Sequence, residues 1–213
     1  QSGELTKVHG ALVSNRNASD PPFLARMNLN RDAKVAIARK AIEIIEDGSS
    51  IALDTGSTSG FIALALRARK NLSVVTNSAF VASTLAIIPG NKVSMAGTQL
   101  RDHDGAAFDR SAFDVIERML VDYVVLSASM VDPKNGFLVH EQCEVDIASA
   151  MLKNAKCAIM AVDHSKFSPQ DRRPALRQPP LKTNDILISD CNPPEQFDGL
   201  LQEMDRRIVD PQY

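Results

Sequence analysis

Ile51-Ala52-Leu53-Asp54-Thr55-Gly56-Ser57-Thr58-Ser59-Gly60 is the stretch that decides the fold. An apolar run ends in an acid and passes directly into four hydroxyl residues set around two glycines. The pattern predicts a buried strand over Ser50–Asp54, a tight turn at Gly56 and a helix over Ser59–Arg69. Unpaired amides at a helix N-terminus, flanked by hydroxyls, form a cradle for an anion. Capping of the helix by Ser57 or Thr58 needs one hydroxyl, not four. No Gly-Lys-Ser/Thr follows and the glycine spacing is not that of a dinucleotide fingerprint, so the loop is neither a P-loop nor a nicotinamide site.

The same unit recurs on the C-terminal side. Leu72–Thr76, Val93–Ala96, Tyr123–Ser127, Cys157–Val162 and Ile186–Ser189 read as further buried strands. Helical patterns precede and separate them: Asp32–Glu46, Ala79–Ile88, Ser111–Met119, Cys143–Asn154 and Pro194–Val209. Asp32–Glu46 places Val35, Ala38, Ile42 and Ile45 on one face, with Lys34 outside it, and stops at Asp47-Gly48. Alternating helix and apolar strand specifies an α/β fold, Rossmann-like, with a largely parallel sheet and helices on both faces. At 213 residues there is room for one domain and a small appended lobe.

Ligands on such sheets sit at the C-terminal ends of strands, where helices begin. After the second strand come Thr76, Asn77 and Ser78; Asn77 can donate and accept, or serve as a helix cap. After the third come Gly97, Arg101 and Gly105, with Arg101 either a bidentate phosphate partner or a surface arginine. Ser127 and Asp132 follow the fourth, and Asp163-His164-Ser165-Lys166-Phe167 the fifth. Lys166 offers a point charge to a phosphate, whereas His164 reads as a loop histidine. Five successive strand ends with small, hydroxyl or charged groups suit a polyol phosphate. No triad order, H-E-x-x-H or paired-cysteine motif supports nucleophilic catalysis or a metal centre.

With 24 Lys+Arg against 26 Asp+Glu, the charge of −2 leaves no basic footprint for nucleic acid on this chain. No apolar run approaches the ~20 residues of a membrane span, and no signal peptide opens the chain. Cys143, Cys157 and Cys191 are odd in number and widely spaced, which predicts buried reduced thiols rather than a disulfide framework. The basic run through Lys166, Arg172, Arg173, Arg177 and Lys182 is interleaved with Pro169, Pro174, Pro179 and Pro180 and reads as a solvated loop. The chain opens Gln1-Ser2-Gly3 without Met, so a preceding segment is expected.

These residues resemble the C-terminal effector-binding domain of DeoR-family bacterial transcription regulators. Lys7-Val8-His9-Gly10-Ala11 looks like that family's hinge; Phe23, Arg26, Asn30, Lys34, Ile37 and Ala38 follow its F-x-x-R, N, K-x-x-I-A spacing. Leu53–Thr58 matches D-[ST]-G-[ST]-T, Val75–Ser78 matches V-T-N-S, and Asp163–Phe167 and Ile186–Asp190 match later signatures. The resemblance implies a fold shared with ribose-5-phosphate isomerase and CoA transferases. Residues 1–20 would be a hinge after an absent winged helix-turn-helix, and residues 21–213 the sensor. The domain would bind a phosphorylated sugar or polyol, without cofactor or catalysis, and control operator binding in the cytoplasm as a homodimer or homotetramer. Asp54, Thr55, Gly56, Ser57, Thr58, Thr76, Asn77, Ser78, Gly97, Arg101, Gly105, Ser127, Asp132, Glu141 and Lys166 would form the effector site. A sugar-phosphate isomerase or CoA-transferase-like enzyme is the alternative, with Asp132, Glu141 or Glu144 as base. Two departures stand out: Ala96 where glycine is common, and Asp146 where an E-x-x-x-K-R helix usually carries Lys, aligning on Glu141 and Val145.

Overall fold

Short apolar runs become strands, and the segments between them wrap both sides of the sheet they build. A computed structural model describes residues 5–8, 11–14, 21–168, 174–183 and 185–209. In chain order the first elements are β1 (Leu5–Val8), β2 (Ala11–Ser14), α1 (Phe23–Asn28), α2 (Arg31–Ile44), β3 (Ser50–Leu53) and α3 (Ser57–Leu66). Then come β4 (Ser73–Thr76), α4 (Ala79–Ala86), β5 (Lys92–Met95), α5 (Arg110–Ile116), β6 (Val121–Leu126), β7 (Met130–Asp132) and β8 (Gly136–Val139). The chain closes with α6 (Gln142–Lys153), β9 (Ala155–Ala161), β10 (Leu176–Arg177), β11 (Ile186–Ser189), α7 (Asp198–Leu201) and β12 (Asp205–Ile208).

Seven strands form one sheet in the order β12-β11-β9-β6-β3-β4-β5, and every pairing within it is parallel. Alternate strand residues feed two cores. Ile51, Leu53, Val74, Val125 and Ile159 face α2, α3 and α4. Ala52, Val75, Val124, Leu126 and Met160 face α5 and α6. Both faces are covered, which is why the strands read as unbroken apolar runs. The chain leaves β3 toward β4 and β5 and then returns to β6 on β3's other side. The crevice at the ends of β3 and β6 is therefore the topological switch point, the place where such sheets bind ligands.

The structure departs from the sequence expectation in five places. The helix expected over Pro194–Val209 is a 3-10 turn (Glu195–Phe197), a single α7 turn and then β12 at the sheet edge. Gly199 weakens the helix, and the charged Asp205-Arg206-Arg207 suits an exposed edge, where charge blocks further pairing. The appended lobe is a three-stranded antiparallel sheet, β10-β8-β7, so Leu176 and Arg177 of the expected solvated loop are a strand; Arg172 and Arg173 lie outside the described residues. The buried face of α2 is Lys34, Ile37, Ala38 and Ala41, continued by Ile45, rather than Val35 and Ile42. The three cysteines are free but only half-buried. The opening segment, for which the sequence predicted no strand, holds β1 and β2, paired antiparallel with Leu5 opposite Ser14 and Val8 opposite Ala11.

Candidate functional site

Gly56 sets the geometry. Its φ of +118° is closed to side-chain-bearing residues, and a Cβ there would lie 3.1 Å from Ser127 Oγ. That bend swings the chain from β3 into α3 and makes Gly56 the N-cap, with no side chain capping the helix. Ser57 and Thr58 are consequently the first two helical residues, which excludes the capping role the sequence allowed them. Three other helix starts are capped by side chains: Ser78 caps α4, Asp109 caps α5, and Glu141 with Glu144 forms a capping box on α6. The leading amides of α3 are left to whatever enters the crevice.

That crevice is a cavity of about 120 Å³. Asp54, Thr55, Gly56, Ser57 and Thr58 line it from the β3 side, and Ser127, Ala128 and Ser129 from the β6 side. Asp163, Ser165 and Lys166 enter from the end of β9, Glu144 from α6, and Asp104 from the loop after β5. Arg26, Asn30 and Lys34 close it from the α1–α2 corner. On this lining the buried Thr55 hydroxyl and Asp163 Oδ2 have no hydrogen-bond partner among the described residues. Buried polar groups are nearly always satisfied, so this pair marks a place for ligand or solvent.

Of the expected effector residues, Asp54, Thr55, Gly56, Ser57, Thr58, Ser127 and Lys166 are brought together on this lining. The remaining candidates are placed elsewhere. Thr76, Asn77 and Ser78 are buried beneath the site, not on its lining. Thr76 Oγ1 accepts from Ser78 N, Ser78 Oγ accepts from Val81 N, and Asn77 Nδ2 donates to Ala107 O at 3.3 Å. They brace the loop. Gly97 (φ +95°) permits close packing, since a Cβ there would come within 2.3 Å of the Ala107 Cβ. Gly105 (φ +65°) turns the same loop, and its N–H donates to Arg101 O. Asp132 Oδ1 accepts from Lys134 N, Asn135 N and Asn135 Nδ2 and so holds the β7–β8 turn.

Arg101 is the main reassignment. Its guanidinium clamps Asp104 with two bonds (3.1 and 2.6 Å) and Glu141 with one (2.7 Å), and reaches Glu144 at 3.7 Å. It also lies 4.4 Å above the Phe108 ring. This cation binds carboxylates of its own chain and is not on the cavity lining. Glu141 is its partner and the cap of α6 rather than a cavity group.

The effector site expected from the sequence lacked Arg26, Asn30, Lys34 and Asp104; Glu144 entered only as a base for the enzyme alternative, and Asp163 only as part of the fifth strand-end loop. Lys34 is 4% exposed, and its ammonium donates to the carbonyls of Arg26 (2.7 Å) and Leu29 (2.6 Å), fixing the corner. Asn30, in the left-handed region (φ 49°), donates from Nδ2 to Asp163 Oδ1 at 3.1 Å. A signal was present, because Arg26, Asn30 and Lys34 fall on the family-like spacing. His164 is exposed and pairs through Nδ1 with Asp190 Oδ2 at 2.6 Å.

Electrostatically the lining is mixed. Burial pushes the Asp54 carboxyl from its ordinary 3.8 up to about 7. Its bond from Thr55 N opposes the rise, the charges of Glu144 and Asp104 add to it, and Arg101 opposes it. Asp104 is buried too, yet the Arg101 clamp holds it below the usual range. A second groove of about 370 Å³, between Phe137 and Leu200 with Lys134 and Lys182 at its rim, is larger. It contains none of the convergent residues and lies away from the switch point. Among the described residues no group of acidic, His or Cys side chains is arranged to hold a metal ion.

The DeoR C terminal sensor domain family matches residues 29–191, more than half of the chain. The chain belongs to that family. The glycerol-3-phosphate regulon repressor of Escherichia coli (strain K12) is 30% identical over 190 residues, 89% of this chain and 74% of the repressor. The transcriptional repressor AccR of Agrobacterium fabrum is 28% identical over 211 residues, 98% of this chain and 81% of that protein. Among solved structures, the ribose 5-phosphate isomerase A of Methanocaldococcus jannaschii superposes with a TM-score of 0.46 and 20% identity. The match covers 64% of this sensor domain and 54% of the isomerase, so the chain spans about half that structure's length.

The two departures from the family pattern now have positions. Ala96 is fully buried at the end of β5. Asp146 is exposed on α6, where it accepts from Gln142 Nε2 at 2.8 Å, and it does not line the cavity. This departure therefore puts no anion on the cavity lining. Counted from Glu141, E-x-x-x-K-R puts Val145 at the lysine position and Asp146 at the arginine; counted from Glu144, which does face the cavity, it puts the fully buried Ala148 at the lysine.

Proposed function

We propose that this DeoR-type sensor domain binds a phosphorylated sugar or polyol, with the phosphate on the uncapped N-terminus of α3, and reports occupancy to a DNA-reading domain. The uncapped amides beside Ser57, Thr58 and Lys166, at the switch point of a parallel sheet, carry the reading. Aligned amides and the helix dipole favour a dianion there without a P-loop lysine. The family's repressors supply the regulatory context. Ligand shifts the population of DNA-competent assemblies only through a difference in affinity between them.

The reading includes residues 1–20 as hinge, 21–213 as sensor, a homodimer or homotetramer, and a cytoplasmic setting. Among the described residues no helix is long and apolar enough to cross a membrane. The domain senses and does not turn over its ligand. Of the bases named for an isomerase, only Glu144 reaches the cavity, and its Oε2 accepts from the amides of His140 and Glu141.

A thermal-shift panel of glycerol 3-phosphate, glucose 6-phosphate and deoxyribose 5-phosphate against their unphosphorylated parents tests this. A ligand at a hundred times its Kd adds about 2.7 kcal/mol, which is a rise of roughly 5–10 °C for a domain of this size. Stabilisation confined to phosphorylated compounds supports the reading. Equal stabilisation by the parents, or none by any phosphate, rejects it.

A further inference from the structure

Resting on the phosphate reading above, we infer that Asp54 and Glu144, backed by Asp104, form a carboxylate wall that selects the far end of the ligand. The wall admits phosphate esters whose remaining groups are neutral hydroxyls or an amine and excludes phosphorylated acids such as aldonic or glyceric acid phosphates.

A doubly anionic ligand needs two cationic subsites, and the described lining provides one. The α3 amides, Ser57, Thr58 and Lys166 take the phosphate; Lys166 has no ion pair among the described residues. The other cations are engaged. The Lys34 ammonium holds the carbonyls of Arg26 and Leu29, Arg26 acts on Asp104, and Arg101 is clamped to Asp104, Glu141 and Glu144. Against them stand four carboxylates on the lining: Asp54, Asp104, Glu144 and Asp163.

Three of these carboxylates share the cavity and act on one another, since Asp54 feels both Glu144 and Asp104. A second anion entering so confined a space meets like charge that water screens poorly. A hydroxyl finds acceptors instead. Asp163 Oδ2, on a residue only 1% exposed, has no hydrogen-bond partner among the described residues, and a ligand O–H or N–H can satisfy it. A site with buried acceptors rejects ligands that cannot donate to them, because those acceptors would then stay unpaired.

Isothermal titration at pH 7.5 with two matched pairs tests the inference. The pairs are glycerol 3-phosphate against 3-phosphoglycerate, and glucose 6-phosphate against 6-phosphogluconate. At least one pair should show the neutral-headed ester binding about tenfold or more tightly than its acid. The near-isosteric Asp54→Asn and Glu144→Gln should narrow that gap several-fold by improving binding of the acid. Circular dichroism and melting curves verify that each variant folds; the wild-type comparison stands without them. Acids that bind as tightly as the esters, or a gap unchanged in both folded variants, overturn the wall while leaving the phosphate reading intact. Failure of all four compounds overturns both.

Discussion

Replacing Asp54 by Asn should change how the stability of this domain responds to pH. The carboxyl is 6% exposed, and its pKa rises from 3.8 to about 7 on folding, chiefly through burial. Between those values the folded chain keeps a proton that the unfolded chain releases. The contribution is therefore fully present below about pH 4 and is lost as the pH rises through 7. At ~1.4 kcal/mol per unit, a shift of about three units amounts to as much as about 4 kcal/mol across the window. Asn keeps the acceptor for Thr55 N and cannot ionise, so Asp54→Asn removes this dependence. Urea midpoints for both proteins, from pH 4.5 to 8.5 in phosphate-free buffer, read it directly. The wild type should lose stability relative to the variant steadily up to about pH 7, and the difference should then level off. Parallel profiles would show that the carboxyl is not held against its charge, and the electrostatic description of the cavity would be wrong.

Other substitutions probe separate joints of the site. Arg101→Ala should destabilise the fold by about 3 kcal/mol in urea titrations, since it strands the buried Asp104 carboxylate; an unchanged midpoint would return Arg101 to the role of a surface residue. Gly56→Ala forces a side chain into φ +118° beside Ser127 Oγ, which should cost about 1–3 kcal/mol and at least tenfold in phosphate-ester affinity by calorimetry. Lys34→Met should lower stability by about 2 kcal/mol and weaken ligand binding, because the carbonyls of Arg26 and Leu29 lose the buried donor that ties them together; retention of both properties would show that the α1–α2 corner is not held by that ammonium.

The layer order and the first loop were legible because their signals are local. Ile51-Ala52-Leu53 is apolar on both faces, and Gly56 among hydroxyls has few other uses than a tight turn. Lys34 misled for a reason that is not local. Its position outside the apolar stripe predicts a solvated cation, but carbonyls from an adjacent short helix, α1, bury it. Arg101 was recognised as a bidentate donor with the wrong acceptor, since Glu141 and Glu144 lie about forty residues along and only the packing of α6 brings them in. Asp132 was taken for a ligand contact because a turn-holding aspartate and a ligand-holding one look identical in sequence. The Pro194–Val209 region carries enough apolar residues for a helix, and only the free edge beside β11 turns Asp205–Ile208 into a strand.

The most direct measurement is an amide-resolved NMR titration of the domain with glycerol 3-phosphate, with glycerol as the control. The N–H resonances of Ser57, Thr58 and Ser59 should move farthest and saturate together with the phosphate ester, while glycerol leaves them in place. Saturable binding that leaves these amides unmoved, or that shifts the Phe137–Leu200 groove instead, would contradict the placement of the phosphate on α3.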